Sequence, residues 1–179
     1  MADARLIVFT RYPEPGTVKT RLIPCLGAQG AARLQREMTR RILGAAASLK
    51  AGCDLEVRYD GGDEAAMRRL YGQDLMFTRQ TGRDLGARMQ GAIRAALAEG
   101  AKRVVLIGSD CPMMTPAILR EAFDKLATQP CVLGPATDGG YYLIGLCREE
   151  EGLFRAIAWG GADVLEQTLD RARAAGLDP

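Results

Sequence analysis

The sequence has no histidine in its 179 residues. That absence removes Ser-His-Asp and Cys-His catalysis, imidazole-liganded zinc or iron, and the commonest general base. Chemistry in this chain has to be carried by carboxylates, Lys, Arg, hydroxyls or a metal held by oxygen, and oxygen-only ligands favour Mg²⁺ or Mn²⁺. Cysteine is sparse and unpatterned: five, at 25, 53, 111, 131 and 147, an odd set without a Cys-x-x-Cys pair. Neither a disulfide framework nor structural zinc is expected, and the thiols read as buried and inert. No apolar run approaches the roughly eighteen residues of a membrane helix. Residues Met1 to Arg5 lead straight into a strand-like stretch, without the layout of a signal peptide, so the expectation is a cytoplasmic protein with no membrane span. An excess of one charge is missing too: the net charge is +2, which leaves nucleic acid without a claim as default partner. Lysine is rare, only Lys19, Lys50, Lys102 and Lys125 among 24 basic residues. The arginine excess reflects either genome composition or phosphate recognition, and individual positions have to decide between them.

What remains is ordinary for a globular chain, 47% hydrophobic and 26% charged, and the length suits one domain over 1–179. Strand-like and helix-like segments alternate. Residues 6–10, 54–59, 74–78, 103–107, 131–134 and 141–145 read as strands. Residues 28–49 carry helical spacing at Leu34, Met38, Ile42 and Ala45. Residues 63–71 suit a short helix, and Asp84 is the expected N-cap of a helix over 85–99. Thr115 before Pro116 caps another helix to about 127, and a last one runs over 162–175. Such alternation predicts an α/β three-layer sandwich, a mostly parallel twisted sheet covered by helices on both faces, with the 141–146 segment pairing antiparallel as an edge hairpin.

In open α/β sheets ligands sit outside the carboxyl ends of the strands. Four polar clusters follow strands here and converge on one edge. The first, after strand one, is Arg11-Tyr-Pro-Glu-Pro-Gly16-Thr-Val-Lys19-Thr20-Arg21. Proline and glycine break regular structure, and three cations supply charge for a phosphate chain. It is not a Walker A loop, because Pro13 and Val18 stand where glycines are required, and there is no Gly-x-Gly-x-x-Gly. The bland alternative is a solvated basic loop.

The second cluster, Gly108-Ser109-Asp110-Cys111-Pro112, ends the most apolar strand and puts one carboxylate at the rim. There Asp110 either caps its loop or ligates a metal beside a diphosphate. In the third, Asp138-Gly139-Gly140, the aspartate is either a hairpin-turn residue or a second carboxylate facing an acceptor or metal. In the fourth, Gln80 and the backbone of Gly82 can read a base edge and Arg88 can reach phosphate, while Asp84 and Arg88 also fit plain helix-cap and surface roles. Trp159, ahead of Gly160-Gly161, reads as core packing rather than a sugar platform.

The ordered set Arg-Tyr-Pro-x-Pro-Gly-x-x-Lys-Thr-Arg-Leu, Asp-Leu-Gly-x-Arg-Met, Gly-Ser-Asp-x-Pro and Gly-Pro-x-x-Asp-Gly-Gly-Tyr-Tyr-Leu-Ile-Gly spans nearly the whole chain. It resembles a bacterial family of candidate glycosyltransferases, the radical-SAM/selenodomain-associated and arsenosugar-pathway transferases. The resemblance implies a GT-A-like, nucleotide-diphospho-sugar transferase fold and distant kinship with guanylyltransferases. It also implies that Arg11, Lys19 and Arg21 hold phosphates, that Asp110 holds the metal, Mg²⁺ or Mn²⁺, and that Asp138 lies near the acceptor; with Gly16, Thr20, Gln80, Gly82 and Ser109 the three cations make up the expected nucleotide-binding set. The sequence departs from the pattern at Ala158-Trp159-Gly160-Gly161, where relatives carry Pro-Trp-Ser-Thr. Three expectations follow. One is a glycosyltransferase that takes a nucleotide-sugar donor and a small-molecule acceptor. The second is a nucleotidyltransferase that takes a nucleoside triphosphate and releases pyrophosphate. The third is a non-catalytic nucleotide-binding protein.

Overall fold

The computed structural model describes residues 2–49 and 52–178. Its centre is β1 (Ala4–Arg11), whose first seven residues are buried. A strand covered on both faces needs apolar residues on both, which is why this run does not alternate. Leu6 and Val8 face one layer, with Ile42, Leu43, Met67, Leu119 and Phe123. Ile7 and Phe9 face the other, with Met89, Ile93, Leu153, Phe154 and Ala172. The first layer is built by α1 (Ile23–Ala47), α2 (Glu64–Tyr71) and α4 (Pro116–Lys125), and the second by α3 (Leu85–Ala98) and α5 (Val164–Ala174). The other strands are β2 (Cys53–Asp60), β3 (Met76–Arg79), β4 (Arg103–Gly108), β5 (Cys131–Pro135) and β6 (Tyr141–Leu146). The six strands run in the order β3-β2-β1-β4-β6-β5. Strands β3, β2, β1 and β4 are mutually parallel, and β6 is antiparallel to both β4 and β5. The expected mostly parallel sheet between two helical layers is what the chain forms.

Local signals held at the helix starts. The Asp84 carboxylate accepts from the Ala87 N–H at 2.8 Å, and Thr115 Oγ1 accepts from the Ile118 N–H at 3.3 Å with Pro116 behind it. Asp63 does the same for α2, accepting from Ala66 at 2.7 Å. Helix α1 starts five residues earlier than expected, but Gly27 (φ 67°, ψ 164°) breaks it, so the regular helix begins at 28.

Three expectations need correction. The buried stripe of α1 is Ala31, Gln35, Thr39, Ile42 and Ala46, rotated from the predicted Leu34-Met38-Ile42-Ala45 line because two polar residues point inward. The 141–146 strand does pair antiparallel in a hairpin with β5 at the end of the sheet, but it is the inner strand of that hairpin: β6 inserts between β4 and β5 and buries its last four residues. The edge is β5, which ends in Pro135, where a missing N–H costs no ladder bond. The thiols are unpaired, as expected, but only Cys131 is fully buried and Cys25 is exposed. Burial pushes the Cys131 thiol up to about 12, which keeps it protonated and inert. Among the described residues no helix is long and apolar enough to cross a membrane.

Candidate active site

The sheet topology brings the carboxyl ends of β1 to β5 and the start of β6 to one edge. Backbone bonds fix their order: Ser109 N–H donates to Phe9 O at 3.0 Å, Tyr12 N–H to Asp60 O at 2.8 Å, and Gln80 N–H to Tyr59 O at 2.8 Å. The segments carrying Arg11, Asp60, Gln80 and Asp110 therefore emerge side by side.

Beneath this edge lies a buried polar knot that sequence reasoning missed. Gln35 and Thr39 of α1 meet Thr10 of β1 and Ser109 after β4, all at most 5% exposed. Gln35 Nε2 lies 3.1 Å from Ser109 Oγ and 3.3 Å from both Thr10 Oγ1 and Thr39 Oγ1, with Thr10 and Thr39 hydroxyls 2.8 Å apart. Two amide hydrogens serve three acceptors, so the knot is shared rather than saturated. It ties α1 to the ends of the two central strands. The available signal was polar residues at i and i+4 on an otherwise inward-facing line.

Ser109 accordingly sits under the site, not on its surface, and its hydroxyl reaches Asp110 Oδ1 at 3.4 Å. Asp110 projects outward, 70% exposed, and the same Oδ1 is 3.0 Å from Lys19 Nζ. Lys19 itself holds a left-handed backbone (φ 46°, ψ 44°) immediately before the short 3₁₀ turn Thr20–Leu22. A non-glycine residue there is strained, and the ion pair to Asp110 is the contact that aims its side chain across the site. Arg11 and Arg21 have no ion-pair or hydrogen-bond partner among the described residues. Gly16 and Thr20 are exposed on the same loop.

Gln80 plays another part than base reading. Its Nε2 donates to Thr10 O at 3.1 Å and to Arg58 O at 2.9 Å, which uses both amide hydrogens on the backbone of β1 and β2. Arg88 is likewise engaged, by Asp60 at 3.1 Å, by Gln80 Oε1 and by Gly82 O, so it stiffens the edge instead of standing free for phosphate.

Asp138 combines both readings offered by the sequence. Its Oδ1 accepts from the Gly140 N–H at 3.1 Å, the signature of a turn-forming aspartate. It also lines a cavity of about 520 Å³ together with Arg21, Leu85, Met89, Tyr141 and Trp159. Trp159 packs on Gly86, where a Cβ would lie 2.7 Å from the indole. The tryptophan is thus both core and cavity wall, and its second role was not legible from its position alone. Gly139 (φ +84°) closes the turn against the 162–165 segment: its carbonyl accepts from Leu165 N–H at 2.8 Å, and a Cβ on it would lie 1.7 Å from Ala162 O. Gly139→Ala is expected to cost about 2 kcal/mol or more from strained φ and overlap and to distort the cavity wall. A melting temperature within a degree of the parent would show that the turn has room.

Among the described residues no three acidic or thiol side chains cluster into a ready-made metal site. Asp110 Oδ2, however, has no partner there and is open to solvent. One hard carboxylate oxygen suits a hydrated Mg²⁺ or Mn²⁺ that takes its remaining ligands from phosphate and water.

Residues 43–161 match DUF2064, described as an uncharacterized protein conserved in bacteria. The chain is similar to a candidate nucleotide-diphospho-sugar transferase from Desulfovibrio desulfuricans G20, at 38% identity over 99% of this chain and 78% of that one, with a TM-score of 0.93. The fold is shared with Rv0371c from Mycobacterium tuberculosis H37Rv (20% identity, 88% and 77% covered, TM-score 0.57). It is shared also with a cytidylyltransferase from Leptospira borgpetersenii (14% identity, 82% and 61% covered, TM-score 0.51). No curated protein matches the chain.

Proposed function

Since this chain belongs to the DUF2064 family, we propose that it is a glycosyltransferase, which takes a nucleotide-diphospho-sugar at the loop after β1 and passes the sugar to a small acceptor beside Asp138. The observation that carries the reading is two different sites on one edge. On one side stand Arg11, Lys19 and Arg21 with Asp110, a phosphate-binding set. On the other stands Asp138 in an apolar cavity, and Arg21 borders both. The 38%-identical Desulfovibrio protein supports sugar transfer over other uses of the fold. The shared motifs extend the reading to the radical-SAM- and selenodomain-associated transferases.

Arg11 and Arg21, without partners among the described residues, bind the diphosphate, and Lys19 exchanges Asp110 for a phosphate oxygen when the donor arrives. Asp110, through Oδ2, would be the carboxylate that holds Mg²⁺ or Mn²⁺ on the phosphate side. A bound divalent ion supplies charge neutralisation for the departing diphosphate. Asp138, oriented through Oδ1 by the Gly140 N–H, leaves Oδ2 for the acceptor hydroxyl. The acceptor oxygen forms a bond to the anomeric carbon as its O–H bond breaks. The bond from that carbon to the diphosphate oxygen breaks, its electron pair leaves with the nucleoside diphosphate, and the proton passes to Asp138.

The likeness to a cytidylyltransferase favours one second reading, nucleotidyl transfer from a nucleoside triphosphate. Product analysis separates the two: incubation with nucleotide-sugars and Mn²⁺ is expected to release free nucleoside diphosphate. Pyrophosphate from triphosphates, with nucleotide-sugars untouched, would replace the first reading by the second. The donor is identified by thermal stability, since a ligand at 100 times its dissociation constant adds about 2.7 kcal/mol. No shift with any nucleotide or nucleotide-sugar would sink both.

A further inference from the structure

The protons of the polar knot beneath Asp110 can be assigned from their neighbours. The Thr39 hydroxyl donates to the backbone carbonyl of Gln35 at 3.0 Å. The Thr10 hydroxyl then donates to Thr39 Oγ1 at 2.8 Å, a shorter contact than its 3.5 Å to Arg11 O. The two amide hydrogens of Gln35 go to the oxygens still lacking a donor, Ser109 Oγ at 3.1 Å and Thr10 Oγ1 at 3.3 Å. Ser109 therefore accepts from a nitrogen that cannot accept in return. Its own proton has one acceptor among the described residues, Asp110 Oδ1 at 3.4 Å.

The direction of that bond matters at the rim. Asp110 is 70% exposed, and an exposed carboxylate ordinarily moves among staggered rotamers. Here Oδ1 is held twice, by Lys19 Nζ at 3.0 Å and by the Ser109 hydroxyl. Lys19 reaches it on a long flexible stem and leaves for a phosphate oxygen when the donor binds. Ser109 stays: it is short, buried and held in turn by the buried Gln35 of α1.

We infer that Ser109 is a positioning residue: oriented by Gln35, its hydroxyl holds Asp110 by Oδ1 and leaves Oδ2 as the one free oxygen, a single-oxygen ligand for the divalent ion. Ser109, expected from the sequence to bind nucleotide, works instead from beneath. The metal half of the inference rests on the transferase reading, whereas the hold on Asp110 does not.

Two measurements test it on the intact protein. The first follows NMR couplings across χ1 of Asp110 without any ligand. Lys19→Met is expected to leave Asp110 in one staggered well, and Lys19→Met with Ser109→Ala to average it over several. Averaging in Lys19→Met alone, or a single well in the double variant, overturns the inference. Ser109→Ala by itself should melt within about 4 °C of the parent, because the freed Gln35 hydrogen has Thr39 Oγ1 at 3.3 Å to turn to. The second measurement titrates pyrophosphate against melting temperature, with chelator and with Mn²⁺, in the parent and in Ser109→Ala. With chelator the midpoint should not move, since Ser109 touches no phosphate. With Mn²⁺ it is expected to rise about tenfold, the low end for losing a hydrogen bond behind a metal ligand. Equal Mn²⁺ midpoints in the two proteins overturn the inference. A midpoint raised equally with chelator and with Mn²⁺ also overturns it, and makes Ser109 a direct phosphate ligand. No pyrophosphate response in the parent, with the Asp110 couplings as expected, overturns instead the donor half of the transferase reading.

Discussion

Asp110→Asn is expected to lower turnover by about 10² to 10³-fold, the usual loss when one fixed charge at a transition state is removed, while the protein stays folded. The substitution keeps the size of the side chain and its place after β4, and asparagine can still accept from the Ser109 hydroxyl 3.4 Å away. What it removes is the charge. Lys19 Nζ, 3.0 Å from Asp110 Oδ1, loses its counter-ion, and a divalent cation loses its one protein carboxylate on the phosphate side. Stability has little to lose, because Asp110 is 70% exposed and pairs at an accessible rim are worth about 0–1 kcal/mol. Two measurements separate the causes. Melting of the free variant should match the parent, while Mn²⁺ should no longer add to the stabilisation given by the nucleotide. Undiminished turnover would remove Asp110 from the reaction. A protein that shows no turnover before or after the change, yet binds nucleotide equally in both forms, would be the non-catalytic binder.

The edge on which this prediction stands was visible in the sequence because it follows from a topological rule. Apolar runs at 6–10 and 103–107 mark buried parallel strands, and such strands deliver whatever follows them to one side. Arg11, Lys19, Asp110 and Asp138 could therefore be gathered without coordinates. The helix caps at Asp84 and Thr115 were legible for a similar reason: a cap is a contact between residues three apart. Long-range contacts were not. Nothing near Gln80 announces that its amide will close on Thr10 O and Arg58 O. Helical periodicity assigned the core face of α1 to Leu34 and Met38 since it counts only hydrophobic residues. Gln35 and Thr39 went inside because Thr10 and Ser109 waited there with matching polar groups. The order of β6 and β5 depends on which strand is short and ends in proline, a detail weaker than the hairpin signal that joins them.

Glu56→Ala is expected to be the most destabilising single change outside the apolar core, costing about 3–5 kcal/mol, because it strands buried cations. Glu56 is 1% exposed, Arg5 2% and Arg58 7%, all on the α3 side of the sheet. Arg58 Nε lies 2.8 Å from Glu56 Oε1, and Arg5 stands 3.7 Å from Oε2, close enough for charge but not for a hydrogen bond. Arg5 keeps Glu99 and Asp54 when Glu56 is removed, whereas Arg58 has no other acidic partner among the described residues. The cost is thus mainly the price of one unpaired buried guanidinium, and it should fall when that guanidinium is removed as well. The double variant Glu56→Met, Arg58→Met is expected to recover most of the loss, since apolar replacement of a buried pair is often neutral. For a chain of this size the single change corresponds to a melting shift of roughly 10 °C. Calorimetry on the single and double variants decides the matter: a single variant that melts with the parent would mean that water already reaches Arg58. The effect would extend to the site, because Arg58 O and Tyr59 O are the carbonyls on which Gln80 is hung. Loosening β2 at Glu56 should therefore weaken nucleotide binding even at temperatures where the variant remains folded.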